Sequence, residues 1–153
     1  MFNLKDDTIL VAGLIGVIST VVAEVVTQIF KLIGVTKNSL FELSSMVITL
    51  NRPTIVIGLF VSASVGGFLS ILLYFAFEKF GSQHLIMKCI GISIIMWVAL
   101  EMVFTFSIEA RLIRERPISA YYGHLVGAII FGIAEGILFR RYLFIEYTQR
   151  IGK

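Results

Sequence analysis

The sequence predicts an all-α integral membrane bundle of four transmembrane helices, with a short interfacial helix between the first and the second. Three observations carry that fold class. Of the 153 residues, 58% are hydrophobic and 15% are charged, whereas ordinary soluble domains hold roughly a quarter charged residues. Four apolar stretches, 8–33, 53–77, 85–108 and 118–139, each match the roughly 20 helical residues needed to cross a hydrocarbon core. Their punctuation agrees: Gly34 and Gly81 stand where helices end, and Pro53 and Pro117 stand where helices begin. The length allows one domain, 1–153, with the third and fourth helices running on into water to about 115 and 147. Four crossings put both ends on one side, face A, and the connections 34–52 and 109–117 on the other, face B.

The first helix carries small and polar residues at Gly13, Gly16, Thr20, Glu24, Thr27 and Lys31, spaced by three and four so that they share one face. Leu10, Ile18, Val22, Val25 and Ile29 lie opposite and suit lipid. With no charged leader ahead of it and no small-residue cleavage site after it, this run is expected to stay as a membrane helix. Next, Ser39 and Glu42 have capping-box spacing. Leu40, Leu43, Met46, Val47 and Leu50 then recur opposite Ser44, Ser45 and Thr49. A helix over 39–50 is too short to span and is expected in the interface. A re-entrant half-helix is the alternative, and it needs protein cover.

The second spanning helix repeats small residues at Gly58, Ser62, Gly66 and Ser70, a ridge for close helix packing against its own chain or another copy. The third begins near His84, places Lys88 near face A and runs through Trp97 and Glu101. Arg111 and Glu115 beyond it have the spacing of a solvated helical pair, and Arg111, Arg114 and Arg116 suit lipid headgroups. The fourth, YYGHLVGAIIFGIAEGILFRRY, opens with Tyr121 and Tyr122 and closes with Phe139 and Tyr142, two interfacial aromatic belts. Basic residues divide seven to face A and six to face B, too even to orient the protein by the positive-inside rule.

Intramembrane carboxylates are expensive and face a partner or a cavity, so their depth matters. Glu24 lies six residues before Phe30, Glu101 seven before Ile108 and His124 six after Ile118. At 1.5 Å per residue all three sit about 9–10 Å below face B, with Gln28, Thr27, Thr105 and Tyr121 at similar depth. A polar knot fixing helix register, a pathway for protons or a small cation, and a metal site of two carboxylates and one imidazole all fit that layer. Glu135, about 6 Å inside face A, is expected to pair with Lys88.

Other chemistry is missing from the sequence. No Walker loop, GxGxxG or serine-nucleophile signature occurs, and Cys89 is the only cysteine, which leaves no intrachain disulfide and no cysteine-based zinc site. The net charge of +3 lies in the connections between apolar runs and fits headgroups better than nucleic acid. No cofactor or metal is expected.

The four-span layout, the glycine-rich HLVGAIIFG of the last helix and the basic tail resemble small bacterial inner-membrane proteins of the YqhR and YagU sort. That resemblance implies a multi-pass protein of the cell membrane and carries no functional residue with it. The chain is also similar to the small multidrug exporters in its four helices, its Glu24 in helix one and its weak charge bias. It departs from them in a longer first connection and in the additional Glu101 and Glu135. The expected function is non-enzymatic: a buried Glu/His layer that handles protons or a small cation. Its partners are the lipid bilayer and, through the Gly58–Ser70 ridge, a second copy or a larger membrane complex. The alternatives are an accessory subunit of such a complex and a small proton-coupled exporter.

Overall fold

The computed structural model describes residues 7–50, 52–109 and 115–144. The elements in order are α1 (Thr8–Leu32), α2 (Leu40–Thr49), α3 (Ile55–Phe80), α4 (Leu85–Phe104) continued by a π-helical turn (Thr105–Glu109), and α5 (Ile118–Tyr142). With that turn included, four of them are long and apolar enough to cross a membrane, and no strand is present among the described residues. The far ends expected for helices three and four, together with Arg111, Arg114, Arg150 and Lys153, lie outside the described residues.

The division of α1 into two faces is the one its periodicity predicts. Gly16, Thr20, Glu24 and Thr27 are buried, while Leu10, Ile18, Val22, Val25 and Ile29 are all exposed. In water that apolar face would be a liability, but in a bilayer it is the solvated surface. The helix ends where Gly34 takes φ +79°, a conformation that a side chain disfavours, with Val35 N–H donating back to the Phe30 carbonyl.

The spans pack in the order α3, α1, α5, α4, with α1 central beside both α3 and α5, and α4 against α5. The consecutive spans α3 and α4 form no extensive contact, and α2 packs on α3 at the face B end of this gap. Its Leu43 and Met46 cluster with Phe104 and Ile108 from the far side, so α2 bridges α3 and α4 at this end.

The small-residue ridge of α3 makes this packing possible, and it is used within the chain. A side chain at Gly58 would collide with the backbone of Phe41, which is how α2 seats so closely. Ser62 donates to Ser44 at 2.8 Å, Gly66 lies against Gly16 and Thr20 of α1, and Ser70 is fully buried. These contacts bury Gly58, Ser62, Gly66 and Ser70 within the chain.

The short helix also differs from a simple interfacial one. Its outer end is exposed at Ile48 and Leu50, but Phe41, Leu43, Ser45 and Met46 are buried. Its N-terminal end bonds to Glu24, eight residues and about 12 Å inside the end of α1. The segment 38–41 therefore dips between the spans under protein cover.

Candidate functional site: a buried charge cluster beside an apolar cavity

At depth in a bilayer every backbone N–H of a helix start needs a partner, and the sequence supplies one for each at α2. Ser39 and Glu42 form the reciprocal capping box. Leu40 N–H donates to Thr27 Oγ1 at 3.2 Å and Phe41 N–H to Glu24 Oε2 at 2.9 Å. Gln28 Nε2 donates to the other Glu24 oxygen at 2.6 Å, and Thr27 Oγ1 approaches Oε2 at 3.2 Å. Glu24 is thus an N-terminal cap in trans, with its charge at the positive end of the α2 dipole. Lys31 adds an ion pair to Glu42 at 2.5 Å.

The second cluster is centred on Arg116, and here the structure corrects the expectation that this arginine holds headgroups. Its side chain is 5% exposed, and Nη2 donates to Glu101 Oε2 at 2.6 Å and to Glu109 Oε2 at 3.0 Å. Its backbone N–H donates to Glu109 Oε1 at 2.5 Å. The guanidinium lies between the rings of Phe104 and Tyr121, 4.5 and 4.6 Å from their centroids, an arrangement that stabilises a desolvated cation. Burial works against its charge, but the bonds to Glu109 and Glu101 outweigh that and hold the guanidinium above its ordinary range. Arg116 reaches inward because Pro117 follows it. A residue before proline is driven to extended backbone, which turns the chain back over the bundle end before α5 starts.

Glu109 completes the cluster, accepting from Tyr121 Oη at 2.8 Å and Thr105 Oγ1 at 3.3 Å. Sequence counting passes over it. In a continuous α-helix, eight residues would set Glu109 about 80° round from Glu101. The wider turns of the π-helix Thr105–Glu109 reduce the rotation per residue, so both carboxylates face one guanidinium. A hydrophobic pattern does not reveal a π turn. The available signal is the pair of charges itself, Glu109 at the end of an apolar run and an arginine held by Pro117.

Of the layer expected from depth, Glu101 and His124 do meet: His124 Nδ1 lies 3.3 Å from Glu101 Oε1. His124 Nε2 lies 3.2 Å from the Asn38 carbonyl oxygen, on the segment that leads into α2. Glu24 does not join this pair. It belongs with Gln28 at the α2 cap, three residues along the same segment, while Thr105 belongs with Glu109. The layer is therefore two clusters joined by residues 38–41. Among the described residues no three His, Cys, Asp or Glu side chains are placed to share a metal ion.

The expected Lys88–Glu135 pair does not form. Lys88 Nζ donates to the Gly81 carbonyl at 2.9 Å, folding back over the start of its own helix. Gly132 and Gly136 both meet α4, at Cys89–Ser93 and at Ile86, and Glu135 lies near Ser70 of α3 and Cys89 of α4 rather than Lys88. Glu135 is 0% exposed and neither oxygen has a hydrogen-bond partner among the described residues.

Beneath α2, the gap between α3 and α4 encloses a cavity of about 230 Å³. Val65 and Leu69 of α3, Met96 and Leu100 of α4, Leu43 of α2 and Phe131 of α5 form its apolar wall. Glu101, His124 and Trp97 also line it. The cluster thus borders a partly open, largely apolar space in the bundle.

Together these features define a multi-pass helical membrane protein with a buried, charge-paired polar cluster next to an apolar cavity. Comparison with protein-family models, with curated proteins and with solved structures finds no match, so its function has to be argued from the site.

Proposed function

We propose that this chain is a non-enzymatic membrane protein that takes up and releases a proton at the Glu101–His124 pair, and that the proton governs how α2 is held. The observation that carries the proposal is the double contact of His124. A carbonyl oxygen only accepts, so Nε2 facing Asn38 must carry a proton. In a neutral imidazole Nδ1 would then be a bare lone pair 3.3 Å from a carboxylate oxygen. Two acceptors do not face each other without a proton between them. On this reading the pair shares one, and Glu101, which accepts from Arg116 through its other oxygen, suits the carboxylate role.

With that proton in place the cluster of Glu101, Glu109, Arg116 and His124 sums to zero charge, and without it to −1. Imidazole is the side chain whose charge ordinarily changes between pH 5 and 8. Loss of the proton forces His124 to give up either Glu101 or the Asn38 carbonyl, and the second choice frees the segment that starts α2. An electrostatic event at α4 and α5 is thereby coupled to the helix that bridges α3 and α4.

Nitrogen NMR of the imidazole in nanodiscs tests this, with His84→Gln leaving His124 as the single histidine. Both ring nitrogens are expected to carry protons, and one bare nitrogen at every pH between 5 and 8 would sink the proposal. If the proton also crosses the membrane, liposomes holding the wild type will show proton flux that Glu101→Gln abolishes. Equal flux in both, or none in either, restricts the site to proton binding without transport.

A further inference from the structure

Among the described buried carboxylates, Glu135 alone belongs to neither the Arg116 cluster nor the α2 cap. It lies about 16 Å along α5 from His124. Its level in the bundle follows from the apolar cluster that holds Ile15, Leu73, Cys89 and Phe139. One helical turn toward face B from these four stand Ser19 on α1, Ser70 on α3, Ser93 on α4 and Glu135 on α5. Steps of three or four keep each on the face that its neighbour in the cluster presents. Every span thus contributes one polar side chain to a single layer, and all four are buried, Ser19, Ser70 and Glu135 at 0% exposure.

Contacts tie the layer together. The Ser70 hydroxyl lies beside the Glu135 carboxyl, with Cys89 near it. A side chain at Gly132, one turn from Glu135, would run into Ser93 Oγ, and one at Gly16 would run into Ser70. On α1, Ser19 stands between Ile15, which packs with Phe139, and Ala23, whose carbonyl lies at Gly127, so it faces α5.

The hydroxyls of this layer are not spent as others in the bundle are. Thr20, Ser44 and Ser93 each donate to a carbonyl one turn back. Ser19, Ser70 and both oxygens of Glu135 have no hydrogen-bond partner among the described residues, a costly state at membrane depth. Ser93 Oγ, its proton committed to the Cys89 carbonyl, keeps lone pairs. The layer therefore offers oxygen ligands from all four spans and one negative charge. Oxygen ligands suit hard cations. A monovalent ion brings the layer to zero charge, whereas a divalent one leaves a net charge in hydrocarbon. The close approach at Gly16 and Gly132 favours a small ion.

We propose that Glu135, Ser19, Ser70 and Ser93 form a site for one sodium ion between the four spans, with the carboxylate as its counter-charge. The site is separate from the Glu101–His124 pair and does not depend on the proton held there.

Unfolding of the full chain in mixed micelles tests it, with choline dodecyl sulfate as denaturant and choline chloride replaced by sodium chloride at constant ionic strength. An ion bound by the folded chain alone stabilises by mass action, so the unfolding constant should fall about tenfold for each tenfold rise in sodium above half-saturation. Potassium should act only at higher concentrations, and calcium should give no such fall. Glu135→Gln should abolish the sodium response while unfolding like wild type in choline. Ser70→Ala, which keeps the carboxylate, should move the response to about tenfold higher sodium. Glu101→Gln should retain it. No sodium response in wild type, a response that survives Glu135→Gln, or one that calcium reproduces overturns the proposal. If Glu135→Gln does not fold, an unshifted response in both Ser19→Ala and Ser70→Ala overturns it instead.

Discussion

Replacing Arg116 with methionine removes the one cation that faces two buried carboxylates. The side chain is nearly all buried, and its Nη2 lies 2.6 and 3.0 Å from Glu101 and Glu109. At an effective dielectric near 20, each charge pair at about 4 Å is worth roughly 4 kcal/mol. Against that loss stand the recovered desolvation of the guanidinium and the packing of methionine between Phe104 and Tyr121. Removing one partner of a buried pair and stranding the other costs about 3–5 kcal/mol in practice, and that is the expected destabilisation of Arg116→Met. Reversible unfolding in mixed micelles with increasing dodecyl sulfate would measure it. The control is the triple variant Glu101→Gln, Glu109→Gln, Arg116→Met, which leaves no stranded carboxylate and lets His124 give up its proton, and it should recover to within about 2 kcal/mol of wild type. An exposed, headgroup-binding arginine would cost no more than about 1 kcal/mol. A value in that range for Arg116→Met, or a triple variant no better than the single one, would refute the buried-cluster account. Because its pairing raises the guanidinium further, Arg116 stays charged at every practical pH. Its stabilisation would be lost only as pH rises through that raised value, so any pH dependence measured near neutrality belongs to other groups.

Two further outcomes follow from the same geometry. Glu24→Gln keeps one acceptor for Phe41 N–H but loses the charge at the α2 N-terminus, so it should cost about 1–2 kcal/mol. The loss should appear as faster amide exchange at Leu40 and Phe41 with α5 unaffected; unchanged exchange would remove Glu24 as the cap. In sodium-free buffer Glu135→Gln should leave stability unchanged or raise it by about 1 kcal/mol, since only the Ser70 hydroxyl lies beside the carboxyl and no cation among the described residues offsets a charge there. A loss of 3 kcal/mol or more in the same unfolding measurement would mean that the carboxylate has a partner that Gln cannot satisfy.

What the sequence alone determined is what lipid enforces. A bilayer demands runs of about 20 apolar residues and puts a penalty on every exposed polar group, so span number, the two faces of α1, the Ser39–Glu42 box and the depth of Glu24, Glu101 and His124 follow from composition and spacing. Depth, however, is one coordinate of three. Residues at one level of a bundle still face different neighbours. Tertiary structure alone assigned Glu24 to α2 and His124 to Glu101, and it turned Lys88 away from Glu135. Two local departures from regular geometry also escape periodicity. The π-helical turn that brings Glu109 onto the side of Glu101, and the extended Pro117 that follows the inward-facing Arg116, each change direction by a fraction of a turn. A hydrophobic pattern does not register so small a rotation. The choice of which spans pack, and so the gap between α3 and α4 that holds the cavity, is likewise made by small-residue seams meeting in three dimensions.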